Sequence, residues 1–511
     1  MTDTLKSWRW LAFALSLQLL FVFAVPVIAD EAYFVNWGHH LSLGYYDHPP
    51  MTGWVASIFA GSVHADLLLR LGMVGLGLAM FALVDAQARE FRNPTQARVL
   101  ALAWLLLPIN LITFSMYLND TLAHVFTVVF VVCVYRSRRD FQSRAASGLG
   151  WSVLAGLALG LALLTKYIIA TYLIAVMVVL LLDWRGNLGF LLRRLPIVAL
   201  VSAALFAINL YWNYQHCQIN LAFNFLNRQG GPPQRGLFEF SVSLLVLLGP
   251  LLLFWLYRIA RHAPVWPHGN PAASGFFLKL FIASVMVTLV IAFWRGQFGT
   301  HWGVALSFLA VMAFAEHRDS ELPRRLLPVH AGYAGLVIGG LLLAVLAIRT
   351  DTHFLGAAKW QKLTRQFDFY SDVVSGRLRD ELQHDFPKAQ VVSESYGFVA
   401  MLDNHGIDSK VLFSMSKYGR NDDIFQDYAA LDGRQLLILD VGLKYDADKF
   451  RPYFTRLQSV EVVVGDHHFP ALLGQSFRYE AYRTSYIEPA IQKYYAQARP
   501  FSAACYMDKY D

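Results

Sequence analysis

A mostly α, polytopic transmembrane bundle followed by a small C-terminal α/β domain is the fold class predicted by three observations. The chain is rich in apolar residues and poor in charge, its apolar runs recur at membrane-spanning length, and its composition changes near residue 350. Of 511 residues, 56% are apolar or aromatic and 15% are charged. An ordinary soluble domain carries ~25% charged residues. The same figures exclude long disorder, collagen-like repeats and a disulfide-dense secreted scaffold.

About eleven apolar stretches are long enough, at ~1.5 Å per helical residue, to approach or cross a ~30 Å hydrocarbon core. They run approximately over 8–29, 65–86, 97–115, 119–135, 150–164, 168–182, 195–212, 238–257, 276–294, 301–316 and 327–348. The net charge of +7 is distributed between these runs, so it reads as membrane orientation rather than a nucleic-acid footprint. With the amino terminus cytoplasmic, the inner segments hold about seventeen Lys and Arg, and the outer ones only Lys166, Arg228, Arg235 and Arg295. Positive residues are retained on the cytoplasmic side, and an odd number of spans places the tail outside. Lys6, Arg9 and the run ending near Ala29 also have the layout of a signal peptide, but the run is long enough to span and further spans follow.

From about residue 351 charges become frequent and long apolar runs stop. QVVSESYGFVAML (390–402), KVLFS (410–414), QLLILDV (435–441) and VEVVVG (460–465) are β-rich pieces between polar stretches. The domain organisation expected is therefore 1–350, with a first outer loop at 30–64, and an α/β domain at 351–511. No glycine-rich phosphate loop or zinc-type spacing occurs in the tail, which reads as a structural or docking cap. Cys133 lies in an apolar run, whereas Cys217 and Cys505 lie in polar segments, so one disulfide at most is permitted and none is demanded.

Chemistry concentrates in the first outer loop, DEAYFVNWGHHLSLGYYDHPPMTGW, from Asp30 to Trp54. Asp30 and Glu31 stand at the outer end of the first span, where a carboxylate is a competent proton acceptor. A solvated acid pair at a helix end is the plainer alternative. His39, His40, Tyr45, Tyr46, Asp47 and His48 follow, and Pro49-Pro50 fixes the direction of the chain. The loop lacks Lys and Arg, and a helix from about 31 to 44 is expected along the membrane surface.

The runs DEAYF, WGHHLSLGYYDHPPMTGW, LNDTLAHVF (118–126) and GLALGLALLTKY (156–167), in that order, resemble the bacterial branch of the protein O-mannosyltransferase family, which includes the aminoarabinose transferases that modify lipid A. The motifs cover about the first 170 residues, with a weaker likeness in VVSESYGFVAML. The resemblance implies a GT-C fold and an inner-membrane glycosyltransferase that moves a sugar from an undecaprenyl-type phosphate carrier to an extracytoplasmic acceptor with inversion. Lipid A or lipopolysaccharide, a surface polymer or a protein would be that acceptor. It further implies that the carboxyl-terminal domain is periplasmic, that membrane lipids surround the chain, and that nucleic acid is no partner.

By the same resemblance Asp30 matches the catalytic base, while Glu31 positions the acceptor or shares the proton. Lys166 at the outer end of a span fits the leaving phosphate, and a snorkelling lysine is the bland alternative. Arg295 and His301 in WRGQFGTHW are further phosphate candidates. Some relatives carry a lysine where this chain reads Asp47-His48, so His48 would donate a hydrogen bond to phosphate without a full charge. Tyr45, Tyr46, Asp47, Asn119, Asp120 and Tyr167 are assigned to the sugar or acceptor pocket, with a helix N-cap as the alternative for Asn119-Asp120. No obligatory metal or cofactor is expected, although a divalent metal is compatible with the acids and histidines of the loop. The competing class is a transporter or flippase, which would favour a midplane site and paired repeats. A non-catalytic glycolipid receptor is a third.

Overall fold

The computed structural model describes residues 2–145, 147–228, 230–261, 275–316, 324, 326–350, 357–439 and 446–510. In chain order the principal helices are α1 (Thr2–Ala24), α2 (Ala29–Asn36), α3 (Ala65–Ala88), α4 (Pro94–Leu105), α5 (Asn119–Gln142), α6 (Gly148–Leu163), α7 (Ala170–Leu182), α8 (Leu195–Gln215), α9 (Pro233–Arg261), α10 (Phe276–Arg295), α11 (Val304–Glu316), α12 (Leu326–Arg349), α13 (Ala357–Val374), α14 (Arg377–Asp385) and α15 (Tyr396–Asn404).

Every apolar run predicted from the sequence carries helix. Among the described residues, α3, α5, α8, α10 and α12 are long and apolar enough to cross a membrane, and a bent pair, Trp8–Ala24 with Ala29–His39, meets at 82°. Gly148–Leu163, Tyr167–Leu182 and Thr300–Glu316 are shorter apolar helices. Length and composition thus select five or six spans where the sequence suggests about eleven. One reason is local chemistry. Pro108 starts a separate short helix, Pro108–Thr113, and divides the run 97–115. In α9, Gly249 takes φ 45° ahead of Pro250 and kinks the helix.

By internal contacts the chain forms two compact units: Met1–Phe23, Leu67–Ile208 and Gln229–Leu341 in the first, and Ala24–Asp66, Asn209–Arg228 and Leu342–Asp511 in the second. In the first unit, small residues set the helix spacing. A Cβ at Gly156 would lie 2.7 Å from Val201 Cβ, and one at Gly160 2.7 Å from Leu205 Cδ1, so GLALG is the face on which α8 packs closely. Glu316 accepts from the backbone N–H groups of Phe276 and Phe277, both at 2.9 Å, which satisfies the amino end of α10. Several of the arginines counted above meet acids at helix ends: Arg89 and Arg98 pair with Asp85, and Arg136 and Arg139 with Glu90.

The second unit is built on a five-stranded sheet of β1 (Gln390–Ser393), β2 (Ser409–Val411), β3 (Leu436–Leu439), β4 (Arg456–Val464) and β5 (His467–Gln475), in the order β2-β1-β3-β5-β4. β1 pairs in parallel with β2 and β3; β5 pairs antiparallel with β3 and β4. The strands expected at 410–414, 435–441 and 460–465 are present with shifted ends, and Asp440 and Val441 lie outside the described residues. The piece 390–402 is strand only at its start. Ser395 caps a helix by accepting from Phe398 N–H, and the apolar residues that follow fill the buried face of α15. Cys217 and Cys505 form a disulfide, and Cys133 is a buried free thiol. Phe413 is the centre of an aromatic core, with rings of Phe450, Tyr453 and Tyr482 5.0–5.4 Å away.

Candidate active site

Asp30 and Glu31 occupy the first turn of α2, where the helix dipole favours negative charge. Their side chains have different surroundings. Asp30 is exposed, while Glu31 is fully buried. The helix continues as a short 3-10 turn, Trp37–His39, so the amphipathic segment predicted from about 31 is helical through its first half.

α15 lies directly on α2. A Cβ on Gly397 would come within 2.3 Å of Ala29 Cβ, so this approach requires glycine. Asn404 Nδ2 donates to the Ala32 carbonyl at 2.9 Å. The helix delivers Tyr396, whose hydroxyl donates to Asp30 Oδ1 at 2.6 Å.

A second tyrosine–carboxylate pair lies alongside. Tyr33 Oη donates to Asp47 Oδ1 at 3.1 Å, and the Tyr33 ring meets the Tyr396 ring edge-on at 5.0 Å. Burial pushes the Asp47 carboxyl up from 3.8 to about 7, against the hydrogen bond from Tyr33 and the positive charge of Arg228, which pull it down. The loop backbone around Asp47 is held by asparagines: Asn220 donates to the Tyr45 carbonyl, Asn224 to the Asp47 carbonyl, and Asn421 accepts from Tyr46 N–H. Tyr45 stacks on Trp37 at 4.1 Å and donates to the Trp37 and His40 carbonyls, while Tyr46 packs against Phe223. Both tyrosines are fully buried, so they shape the loop from within. His48 Nε2 is 3.9 Å from Asp47 Oδ2.

The other predicted residues belong to the first unit. Lys166 Nζ donates to Asp120 Oδ1 at 2.6 Å, with both side chains largely buried. Asn119 is buried at the start of α5 and has no side-chain capping bond there, Leu118 being the N-cap residue. Tyr167 opens a short 3-10 turn and sets its ring edge-on against Phe206. Arg295 ends α10, half-buried, and His301 is exposed. The structure thus gathers Asp30, Glu31, Tyr45, Tyr46, Asp47 and His48 in one unit, and pairs Lys166 with Asp120 in the other. Tyr33, Asn220, Asn224 and Tyr396 were not singled out from the sequence, and Arg228 was counted there only as an outer cation. Among the described residues, Glu381, His384 and Asp385 have metal-ligand spacing but are largely exposed on α14 and removed from the loop in sequence.

Residues 47–212 match the family model described as dolichyl-phosphate-mannose-protein mannosyltransferase. The chain is also 26% identical over 249 residues to the lipid A galacturonosyltransferase RgtD of Rhizobium johnstonii. That match covers 47% of this chain and spans half the length of the relative. Among solved structures it superposes on ArnT from Cupriavidus metallidurans bound to undecaprenyl phosphate, with a TM-score of 0.59 and 13% identity over 91% of this chain and 97% of that one. The apo form of ArnT gives 0.59 and 15% over 92% and 98%. The chain has the GT-C fold. The resemblance read from the motifs therefore holds in the family model, in the curated relative and in the architecture. Within the GT-C fold, the loop carrying Asp30 and Asp47 belongs to the same compact unit as the C-terminal sheet.

Proposed function

We propose that this protein is an inner-membrane glycosyltransferase that moves a sugar from a polyprenyl phosphate, of the undecaprenyl type, to a lipid A-class acceptor outside the cytoplasm. The observation that carries the reading is the Asp30 carboxylate, solvent-accessible in the first turn of α2 and held by a directed hydrogen bond. The name of RgtD supports the acceptor class, and the undecaprenyl phosphate in the ArnT title supports the carrier. The Cys217–Cys505 disulfide supports an oxidising, extracytoplasmic setting for the second unit.

In this reading the acceptor hydroxyl gives its proton to Asp30 as its oxygen bonds to the anomeric carbon. The bond from that carbon to the phosphate oxygen breaks, its electron pair leaves with the polyprenyl phosphate, and attack from the opposite face inverts the configuration. His48, on the same loop as Asp47, is the proposed donor of a hydrogen bond to the departing anion. Glu31, buried beside the base, fixes the local field or orients the acceptor.

The test is Asp30→Asn expressed in cells that lack the native chain, read by mass spectrometry of lipid A. Loss of the sugar-bearing species, with turnover down about a hundredfold or more in purified protein, is expected. Unchanged turnover in the folded variant removes the assignment.

A further inference from the structure

We infer that Tyr396, at the head of α15, is a positioning residue for the Asp30 base: its hydroxyl holds Oδ1 and so presents Oδ2 to the incoming acceptor. The inference rests on the reading of Asp30 as the base and assigns a role to VVSESYGFVAML, the one likeness in the tail that the proposed chemistry does not otherwise use.

Asp30 is exposed at a helix start, so packing alone leaves its carboxylate free to rotate. A base must lie within hydrogen-bond reach of the proton it takes, and misplacement by an ångström is costly in rate. Tyr396 supplies the constraint, with its hydroxyl 2.6 Å from Oδ1, the short distance expected of an O–H bond to a carboxylate.

The donor is itself fixed by its neighbours. The ring of Tyr33 meets its ring edge-on at 5.0 Å, and Tyr33 is tied by its own hydroxyl to Asp47. Gly397, the next residue, lets α15 touch Ala29, the residue before Asp30. Asn404 then ties the far end of α15 to the Ala32 carbonyl. Ser395 caps the helix immediately before Tyr396 and β1 anchors it in the sheet. Burial, reinforced by the Asp30 charge, pushes the Tyr396 phenol well above its ordinary range, so it remains a proton donor throughout the cycle. The C-terminal sheet therefore contributes, through one strand–turn–helix connection, to the geometry of an acid near the amino terminus.

The experiment is a double-mutant cycle on the purified full chain, with Asp30→Asn, Tyr396→Phe and the two combined. The probes are the lipid-linked sugar pool extracted from membranes of cells lacking the chain and lipid A as acceptor. Tyr396→Phe removes one oxygen and keeps the ring packing. It is expected to lower kcat roughly tenfold with little change in the KM for the lipid donor, the scale of a charge-assisted hydrogen bond. In the Asp30→Asn background the same change is expected to cost less than about twofold, because Tyr396 acts through the carboxylate. A full tenfold loss in both backgrounds, or wild-type kcat in Tyr396→Phe, overturns the positioning role while leaving Asp30 as base. Unimpaired Asp30→Asn overturns both.

Discussion

Lys166 Nζ lies 2.6 Å from Asp120 Oδ1, and the two side chains are only 7% and 12% exposed. Lys166 follows the end of α6 and Asp120 begins α5, so the pair clamps two helix ends. This argues against a snorkelling lysine, whose head group would extend to water. The role proposed for such a cation is to meet a phosphate, since its position is fixed before the ligand arrives. Lys166→Met is expected to weaken binding of undecaprenyl phosphate about tenfold or more and also to lower stability, because the largely buried Asp120 carboxylate loses the cation at 2.6 Å. Lys166→Met with Asp120→Leu is expected to recover the thermal midpoint but not the binding. Recovery of both would show that the pair serves the fold alone.

The helices were legible because apolar length and charge spacing are properties of contiguous sequence. The same applies to Asp30 and Asp47, which share one loop. The partner of Asp30 was not legible: Tyr396 is 366 residues away in sequence and reaches it through a sheet connection. Val391 and Val392 made 390–402 resemble a single strand, whereas the Ser395 cap starts a helix in its second half, whose apolar residues face inward. Nor could composition show that Tyr45 and Tyr46 face inward, because that depends on Trp37, Phe223 and the asparagines that grip the loop. The roughly eleven apolar runs could be counted, but not how many of the helices reach full length, since breaks such as Pro108 and Gly249-Pro250 act within a run.

The disulfide makes a second prediction. Cys217 and Cys505 are 288 residues apart, and the two segments are also joined by backbone bonds beside the disulfide, from Cys217 N–H to the Ala504 carbonyl and from Ala503 N–H to the Tyr214 carbonyl. Alkylation of protein denatured without reductant is expected to label Cys133 and leave Cys217 and Cys505 unmodified. Replacing both with serine is expected to lower stability by about 2–5 kcal/mol, the range for loss of a native disulfide. Labelling of all three thiols before reduction would show that the bond does not form in the cell.

Burial of Asp47 has a consequence for pH dependence. Its carboxyl titrates near 7 in the folded chain against 3.8 ordinarily, so between these values the native state holds a proton that the unfolded chain has released. Stability contributed by the protonated form is therefore full at low pH, declines as pH rises above about 4, and is lost once pH passes about 7. Asp403, also raised to about 7, and Asp422, raised to about 6, are half-buried in the same unit and act in the same direction. Asp47→Asn keeps an acceptor for the Tyr33 hydroxyl and removes one titrating group. The wild-type thermal midpoint is expected to fall between pH 5 and pH 8, and the variant to fall less, by the equivalent of about one proton, or ~1.4 kcal/mol per pH unit inside the window. Parallel slopes for the two proteins would mean that water reaches Asp47 in the folded state and that its carboxylate is already ionised at pH 5.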